Sequence, residues 1–248
     1  MHNYVPPANL LTGRHILVTG ASDGIGRAVA LKCAQLGATV ILLARSNDKL
    51  EQVYDEIEAN GWPQPAIVPL HLGTTTEAQF NQLAAQLENE FGKLDGLVHC
   101  AAALGDQTLI EMYDPQTWRQ VFDVNVNGAF MLTQSLLPLL RLSGDASIIF
   151  TSSSVGRKGR AHWGAYAVSK FAVEGLMQVL ADELENTAAI KVNSINPGAV
   201  RTVMRATAYP FEDPANLRRP EEITDLYCYL LGPDSKGVSG QALDAQPK

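Results

Sequence analysis

A single doubly wound α/β domain with a mostly parallel sheet is the fold that the sequence predicts, and three observations predict it. Short, mostly apolar runs recur along the chain: HILVTG at 15–20, TVILLA at 39–44, AIVPL at 66–70, LDGLVHC at 94–100, ASIIFTS at 146–152 and IKVNSIN at 190–196. Segments with helical spacing of apolar residues lie between them, and a parallel strand covered by helices on both faces reads as such a continuous run. The 248 residues, 46% hydrophobic and 18% charged, suffice for one large core, and no Pro/Ser-rich or charge-run linker divides them. Residues 1–248 are therefore expected to form one domain.

Each element follows from its own stretch. The first run stops at Gly20 and gives way to ASDGIGRAVALKCAQLG, with apolar residues at 25, 29, 30, 33, 34 and 36, so a strand, a glycine turn and a helix ended by Gly37 follow one another. Leu50, Val53 and Ile57 set a helix over 47–60, and the third run completes a βαβαβ unit. A helix near 76–91, one long helix near 115–140 and a helix from about 164 to 186 separate the remaining three strands. Ligands of such sheets bind at the carboxyl ends of the strands, where the strand order switches, so the loops after strands are where chemistry is expected.

Composition narrows the function. A net charge of −7, from 19 basic and 26 acidic residues, supplies no basic field for nucleic acid, and a small molecule is the expected partner. Cys33, Cys100 and Cys228 are few, scattered and odd in number, without CxxC or Cys/His spacing, as suits buried thiols in a reducing compartment. His71 and His99 have no carboxylate or cysteine cluster at ligand spacing and read as ordinary loop residues, so no metal is expected. The opening MHNYVPPANL has neither a basic nor an apolar leader region, and no apolar run approaches the roughly 18 residues of a membrane span. A soluble, cytoplasmic protein is expected.

The loop after the first strand, TGASDGIG, places glycines at 20, 24 and 26, with Ser22, Asp23 and Ile25 between them. Glycines here turn the chain tightly, let backbone N–H groups approach a pyrophosphate, and set a helix N-terminus behind that anion. Its place between a strand and an amphipathic helix points to dinucleotide binding on a Rossmann fold. After the second strand an acidic residue would bond a ribose 2′-hydroxyl, whereas this chain has Ala44-Arg45-Ser46. The Arg45 guanidinium suits a 2′-phosphate, so NADP(H) is expected over NAD(H); the other reading is a solvated arginine with Ser46 capping the next helix.

After the fifth strand the chain reads TSSSVGRKGRAHWGAYAVSK, 151–170. Tyr166 and Lys170, four apart on one helix, share a face at the cofactor end of the sheet. A nearby ammonium lowers a phenol's pKa from its usual value of about 10, which makes the tyrosine a usable proton donor and acceptor for carbonyl reduction.

These residues resemble the short-chain dehydrogenase/reductase family. TGASDGIG at 19–26, NVNG at 125–128, the serines before YAVSK, and NPGAVRT at 196–202 occur in family order over nearly the whole chain. The resemblance implies a seven-stranded, mostly parallel sheet flanked by helices and an NADP(H)-dependent oxidoreductase acting on a carbonyl/alcohol pair. It makes Tyr166 the acid/base, Lys170 the residue that lowers its pKa and holds the ribose, and Ser153, thirteen residues before the tyrosine, the residue that orients the substrate oxygen. Asn125 would support a water-linked proton relay, Thr202 after Pro197-Gly198 would bind the nicotinamide carboxamide, and Ala101 would border the adenosine. Ser152 and Ser154 are left to satisfy the strand end and turn. GASDGIGR, WGAYAVSKFA, the MRATAYPFEDP loop at 204–214 and the DAQP terminus resemble one bacterial oxidoreductase subgroup of the family.

The pattern departs from the family at two places. His99-Cys100-Ala101-Ala102 replaces Asn-Asn-Ala-Gly, which removes side-chain hydrogen bonds, and His71 replaces an aspartate that bonds the adenine amino group, a bond that an imidazole nitrogen accepts if the tautomer suits. These departures favour one alternative, a non-catalytic dinucleotide-binding sensor or interaction protein. Residues 203–220 are expected to form a substrate lid. The basic run Arg157, Lys158, Arg160 borders the substrate mouth and reads as a solvated loop face. Apolar residues on several sides of the helices near 115–140 and 164–186 imply, with the resemblance, a homodimer or homotetramer.

Overall fold

The computed structural model of the protein describes residues 4–247. In chain order its elements are β1 (His15–Thr19), α1 (Gly24–Gln35), β2 (Thr39–Ala44), α2 (Asn47–Ala59), β3 (Ala66–Pro69), α3 (Glu77–Phe91), β4 (Gly96–His99), α4 (Pro115–Phe122), α5 (Gly128–Arg141), β5 (Ala146–Thr151), α6 (Gly164–Leu184), β6 (Ile190–Asn196), α7 (Val203–Ala208), α8 (Asp225–Leu231) and β7 (Ala242–Asp244). The strands pair in parallel as one seven-stranded sheet in the order β3-β2-β1-β4-β5-β6-β7. The chain runs outward from β1 to β3 and then crosses back to place β4 on the other side of β1. That reversal splays the loops after β1 and β4 apart and opens a crevice above them.

The period-2 alternation of strand side chains divides the core into two layers. Ile16 and Val18 of β1, with Val40 and Leu42 of β2, pack with residues of α1, α2 and α8 on one face. Leu17, Ile41 and Leu43 pack with α3, α5 and α6 on the other. Both faces of the central strands are thus covered, which is why their sequences are largely apolar on both faces.

Two features differ from the sequence expectation. The helix expected to run unbroken over 115–140 is interrupted by a wide π turn, Asp123–Asn127, between α4 and α5. Asn125 sits in that turn, and its amide bonds both the N–H and the C=O of Ala103, at 2.7 and 2.9 Å. These bonds hold the bulge against the loop after β4. The segment after residue 220, which no periodicity resolved, forms α8 and the edge strand β7. Among the described residues no helix is long and apolar enough to cross a membrane.

Candidate active site

The crevice at the strand ends has a volume of about 690 Å³. Gly20, Ser22, Asp23, Gly24, Ile25, Gly26, Arg45, Ala101 and Thr202, all singled out from the sequence, line it. The glycines are there because the backbone passes too close for a side chain. A Cβ on Gly26 would lie 2.3 Å from the carbonyl oxygen of Gly20, and one on Gly20, whose φ is +69°, would lie 2.9 Å from the Ala101 nitrogen. The Thr19 hydroxyl accepts from the N–H groups of Cys100 and Ala101, both at 3.1 Å, and so ties the end of β1 to the end of β4. Asp23 caps α1 by accepting from the Gly24 N–H at 2.7 Å.

Arg45 follows β2 with its side chain exposed at the crevice, while the Ser46 hydroxyl caps α2. The Ser46 cap is as the solvated-arginine reading expects, and the position of Arg45 in the crevice lining leaves it accessible to a ligand. Thr202 caps α7, accepting from the Arg205 N–H at 3.1 Å, and its methyl faces Gly24 across the crevice. Pro197 and Gly198 do not line the crevice. They shape the turn that delivers Thr202, and the Gln246 amide pins it by donating to the carbonyls of Pro197 and Ala199 at 2.8 and 2.9 Å.

Tyr166 lies at the start of α6, only 9% exposed, among Val155, Ala102, Leu104, Trp163 and Met204. Three of these neighbours, Ala102, Leu104 and Met204, line the crevice, whereas Asn125, Ser153, Tyr166 and Lys170 are not themselves among its lining residues. Burial pushes the phenol up to about 12, and the Ser153 hydroxyl hydrogen-bonded to it pulls the other way. The sequence expectation of a phenol lowered by Lys170 is thus reversed in the protein alone. Lys170 is buried, its Nζ donating to the Thr151 carbonyl at 2.7 Å and lying 5.5 Å from the centre of the Tyr166 ring, over its face. Desolvation brings the ammonium down to about 8, with Cys100 and Glu174 opposing that shift.

Asn125 is buried, and besides clamping Ala103 it donates to the Ser169 hydroxyl at 2.9 Å, one turn along the same helix from Tyr166. Its side-chain amide is occupied in positioning α6 against the loop after β4. Ser152, expected to satisfy the strand end, has a buried hydroxyl without a hydrogen-bond partner, and Ser154 is exposed where a single 3-10 turn begins.

Sequence reasoning did not single out the shell around Tyr166. Trp163 lies 5.7 Å from Tyr166 and 5.8 Å from Tyr209, ring centre to ring centre. Tyr209 in turn accepts from Arg160 at 2.8 Å and lies beneath the Arg205 guanidinium, which forks onto Glu212 at 2.6 Å through two nitrogens. The segment read as a lid is therefore in contact with Trp163, the residue just before α6. The signal available was the aromatic and basic composition of 157–163 and 204–212.

Several readings need correction. Arg157 is not on a solvated face: it donates to Glu174, to Asp244 and to the Leu243 carbonyl, at 3.1, 2.7 and 3.0 Å, and stitches β7 to α6. His99 is not a loop residue but the buried last residue of β4, stacked on Phe150 with ring centres 4.8 Å apart and bonded to the Thr133 hydroxyl at 2.9 Å. Cys33 and Cys228 are buried as expected, whereas Cys100 is half-buried at the crevice, 3.2 Å from the Thr151 hydroxyl. The stretch His99-Cys100 therefore replaces the lost asparagine bonds with bonds of its own. Among the described residues no group of three or more His, Cys, Asp or Glu is gathered for a metal ion.

Residues 14–213 match the family described as short chain dehydrogenase. The chain belongs to the short-chain dehydrogenase/reductase family. It is 53% identical over 247 residues to the Escherichia coli K12 protein named "Uncharacterized oxidoreductase YciK", covering 100% of this chain and 97% of that one. It superimposes with a TM-score of 0.97 on the short chain dehydrogenase from Shigella flexneri, at 52% identity over 99% of this chain and 96% of that one. A crystal structure from Escherichia coli CFT073 complexed with NADPH is similar over 98% of this chain and all of that one, with 53% identity and a TM-score of 0.95. This member of the short-chain dehydrogenases/reductases is accordingly an NAD(P)-dependent oxidoreductase, and the subgroup likeness read from its loops agrees with the YciK similarity.

Proposed function

We propose that the protein transfers hydride between NADP(H) and a small carbonyl/alcohol substrate, with Tyr166 as the acid/base. The observation that carries this reading is the buried Tyr166 phenol, packed against Ala102, Leu104 and Met204 of the crevice lining, hydrogen-bonded to Ser153 and with the Lys170 ammonium over its ring. NADPH supplies the hydride. With its phenol held up at about 12, Tyr166 is a protonated acid at neutral pH and can hand its proton to the carbonyl oxygen as negative charge develops there. Ser153 orients that oxygen by donating its hydroxyl proton. Lys170, still charged below about pH 8, stabilises the phenolate left behind and would hold the ribose. Thr202 accepts from Arg205 and keeps its own O–H free to donate to the nicotinamide carboxamide.

Cofactor selection falls to Arg45, exposed at the end of β2 where a 2′-phosphate arrives, and the NADPH-bound relative from Escherichia coli supports the same preference. Exposed Phe130 of α5 and Val168, Phe171 and Val179 of α6 suit a homodimer or homotetramer, and a cytoplasmic location fits the cofactor. Tyr166→Phe keeps the ring and its packing but removes the proton. Turnover of NADPH with a reactive dicarbonyl or quinone is expected to fall by about 10²–10⁴-fold, with NADPH binding by fluorescence titration unchanged. An unchanged rate would sink the mechanism.

A further inference from the structure

The loop after β3 contains a hydrogen bond that bears on which purine the protein recognises. The Gly73 N–H donates to Nδ1 of His71 at 3.2 Å. A ring nitrogen that accepts a bond carries no proton, so the proton of the neutral imidazole resides on Nε2. The turn holding this arrangement is itself fixed, because the His71 carbonyl accepts from the N–H groups of Thr74 and Thr75 at 3.0 and 3.1 Å and from the Thr75 hydroxyl at 2.8 Å. The half-buried His71 lines the crevice with a donor and no free acceptor.

The position of that donor follows from the sheet. Glycines 20–26 mark the pyrophosphate and Arg45, at the end of β2, the 2′ position of the adenosine ribose. β3 is the next strand outward: Ala44 pairs with Pro69, and the Leu70 N–H donates to the Ala44 carbonyl at 2.9 Å. His71 is therefore two residues beyond the end of β3, the strand end that adjoins Arg45. The base carried by a ribose held at Arg45 extends over this edge, with Leu72 and Ala101 as apolar neighbours in the crevice lining.

We propose that His71 reads the purine of the cofactor as a hydrogen-bond donor, through Nε2–H, and that the protein consequently accepts a 6-oxo purine in place of adenine. The proposal rests on the NADP(H) reading above. On adenine the ring nitrogen N1 accepts this bond; on hypoxanthine the 6-oxo oxygen does. A carboxylate at the same position accepts only, bonding the adenine 6-amino group and opposing the 6-oxo oxygen. The expectation that the imidazole accepts a bond from the adenine amino group is thereby reversed.

The test is a fluorescence titration of the full chain with NADPH and with reduced nicotinamide hypoxanthine dinucleotide phosphate. Wild type is expected to bind the two within about threefold, because a single donor bond is made to either base. His71→Asp, which still offers an oxygen to the Gly73 N–H, is expected to prefer NADPH by about tenfold or more. His71→Ala is expected to bind both about threefold to tenfold more weakly than wild type, without discriminating. Rejection of the hypoxanthine cofactor by wild type, by tenfold or more, overturns the proposal, as does an alanine variant that binds both as tightly as wild type. Failure of wild type to bind NADPH at all overturns the cofactor reading and this proposal with it, whereas tight NADPH binding with loss of the hypoxanthine form overturns the role of His71 alone.

Discussion

His99 predicts a specific weakness of the fold in acid. Thr133 gives its hydroxyl proton to the Ala129 carbonyl at 2.7 Å, so its oxygen accepts from Nε2–H of His99, and Nδ1 is the unprotonated nitrogen, buried without a partner. Protonating it would place a charge in a dry layer against Phe150 and near Lys170, and desolvation first, then Lys170, lower the ring to about 3. The unfolded chain regains the ordinary value of about 6.5. Because the folded pKa is depressed, the stability is full above about pH 6.5 and is lost progressively as the pH falls towards 3. At about 1.36 kcal/mol per pH unit, His99 alone withdraws about 2 kcal/mol between pH 8 and pH 5. Replacing it by the non-titrating His99→Asn removes this share whatever the variant's stability at pH 8. Urea unfolding of both proteins at pH 8 and pH 5 measures it, since the other histidines cancel in the difference. Wild type should lose about 2 kcal/mol more than the variant over that interval. Equal losses in the two proteins would mean that the imidazole takes up its proton in the folded state and that the buried, unpartnered nitrogen does not control the acid limb.

Arg45→Ala should weaken NADPH binding by about tenfold or more while leaving NADH within about twofold, since a charge-assisted bond to the 2′-phosphate is lost and no other contact changes; parallel fluorescence titrations read the ratio, and equal weakening of both would assign Arg45 to the loop rather than to the phosphate. Arg157→Met removes the cation between α6 and β7 and leaves the buried Glu174 carboxylate with the Ser194 hydroxyl at 2.7 Å. Stranding one member of a buried pair costs about 3–5 kcal/mol, seen as a fall in the urea midpoint. A loss below about 1 kcal/mol would return Arg157 to the solvated face that its sequence context suggested.

The fold was legible wherever burial is two-sided. Six largely apolar runs mark the strands β1 to β6, because a sheet covered by α1, α2 and α8 on one face and by α3, α5 and α6 on the other favours apolar residues on both. β7 escaped because it is three residues long and lies at the sheet edge, where side chains are exposed or half-buried and no apolar run is needed. The break at 123–127 escaped for a different reason. Apolar periodicity continues through the π turn, and what widens the helix there is the long-range clamp of Asn125 on Ala103, a contact of 22 residues' separation that no local pattern encodes.

The site shows the same division between which groups are present and where their protons lie. Spacing put Tyr166 and Lys170 on one face of α6, the family resemblance added Ser153, and Tyr166 packs against Ala102, Leu104 and Met204 of the crevice lining, while glycine spacing marked the loop after β1. Spacing does not say which atom a long side chain reaches. Lys170 gives one of its protons to the Thr151 carbonyl and lies over the ring face rather than beside the phenol oxygen, so burial outweighs it and Tyr166 rises instead of falling. His71 is likewise fixed as a donor by one backbone N–H two residues away. In both cases a local backbone group decides the direction in which a proton is offered. Under the proposed mechanism a protonated phenol is the form that gives a proton to an alkoxide, as carbonyl reduction needs. The reverse direction needs a phenolate, which the positive charge of an oxidised nicotinamide ring favours and burial alone opposes.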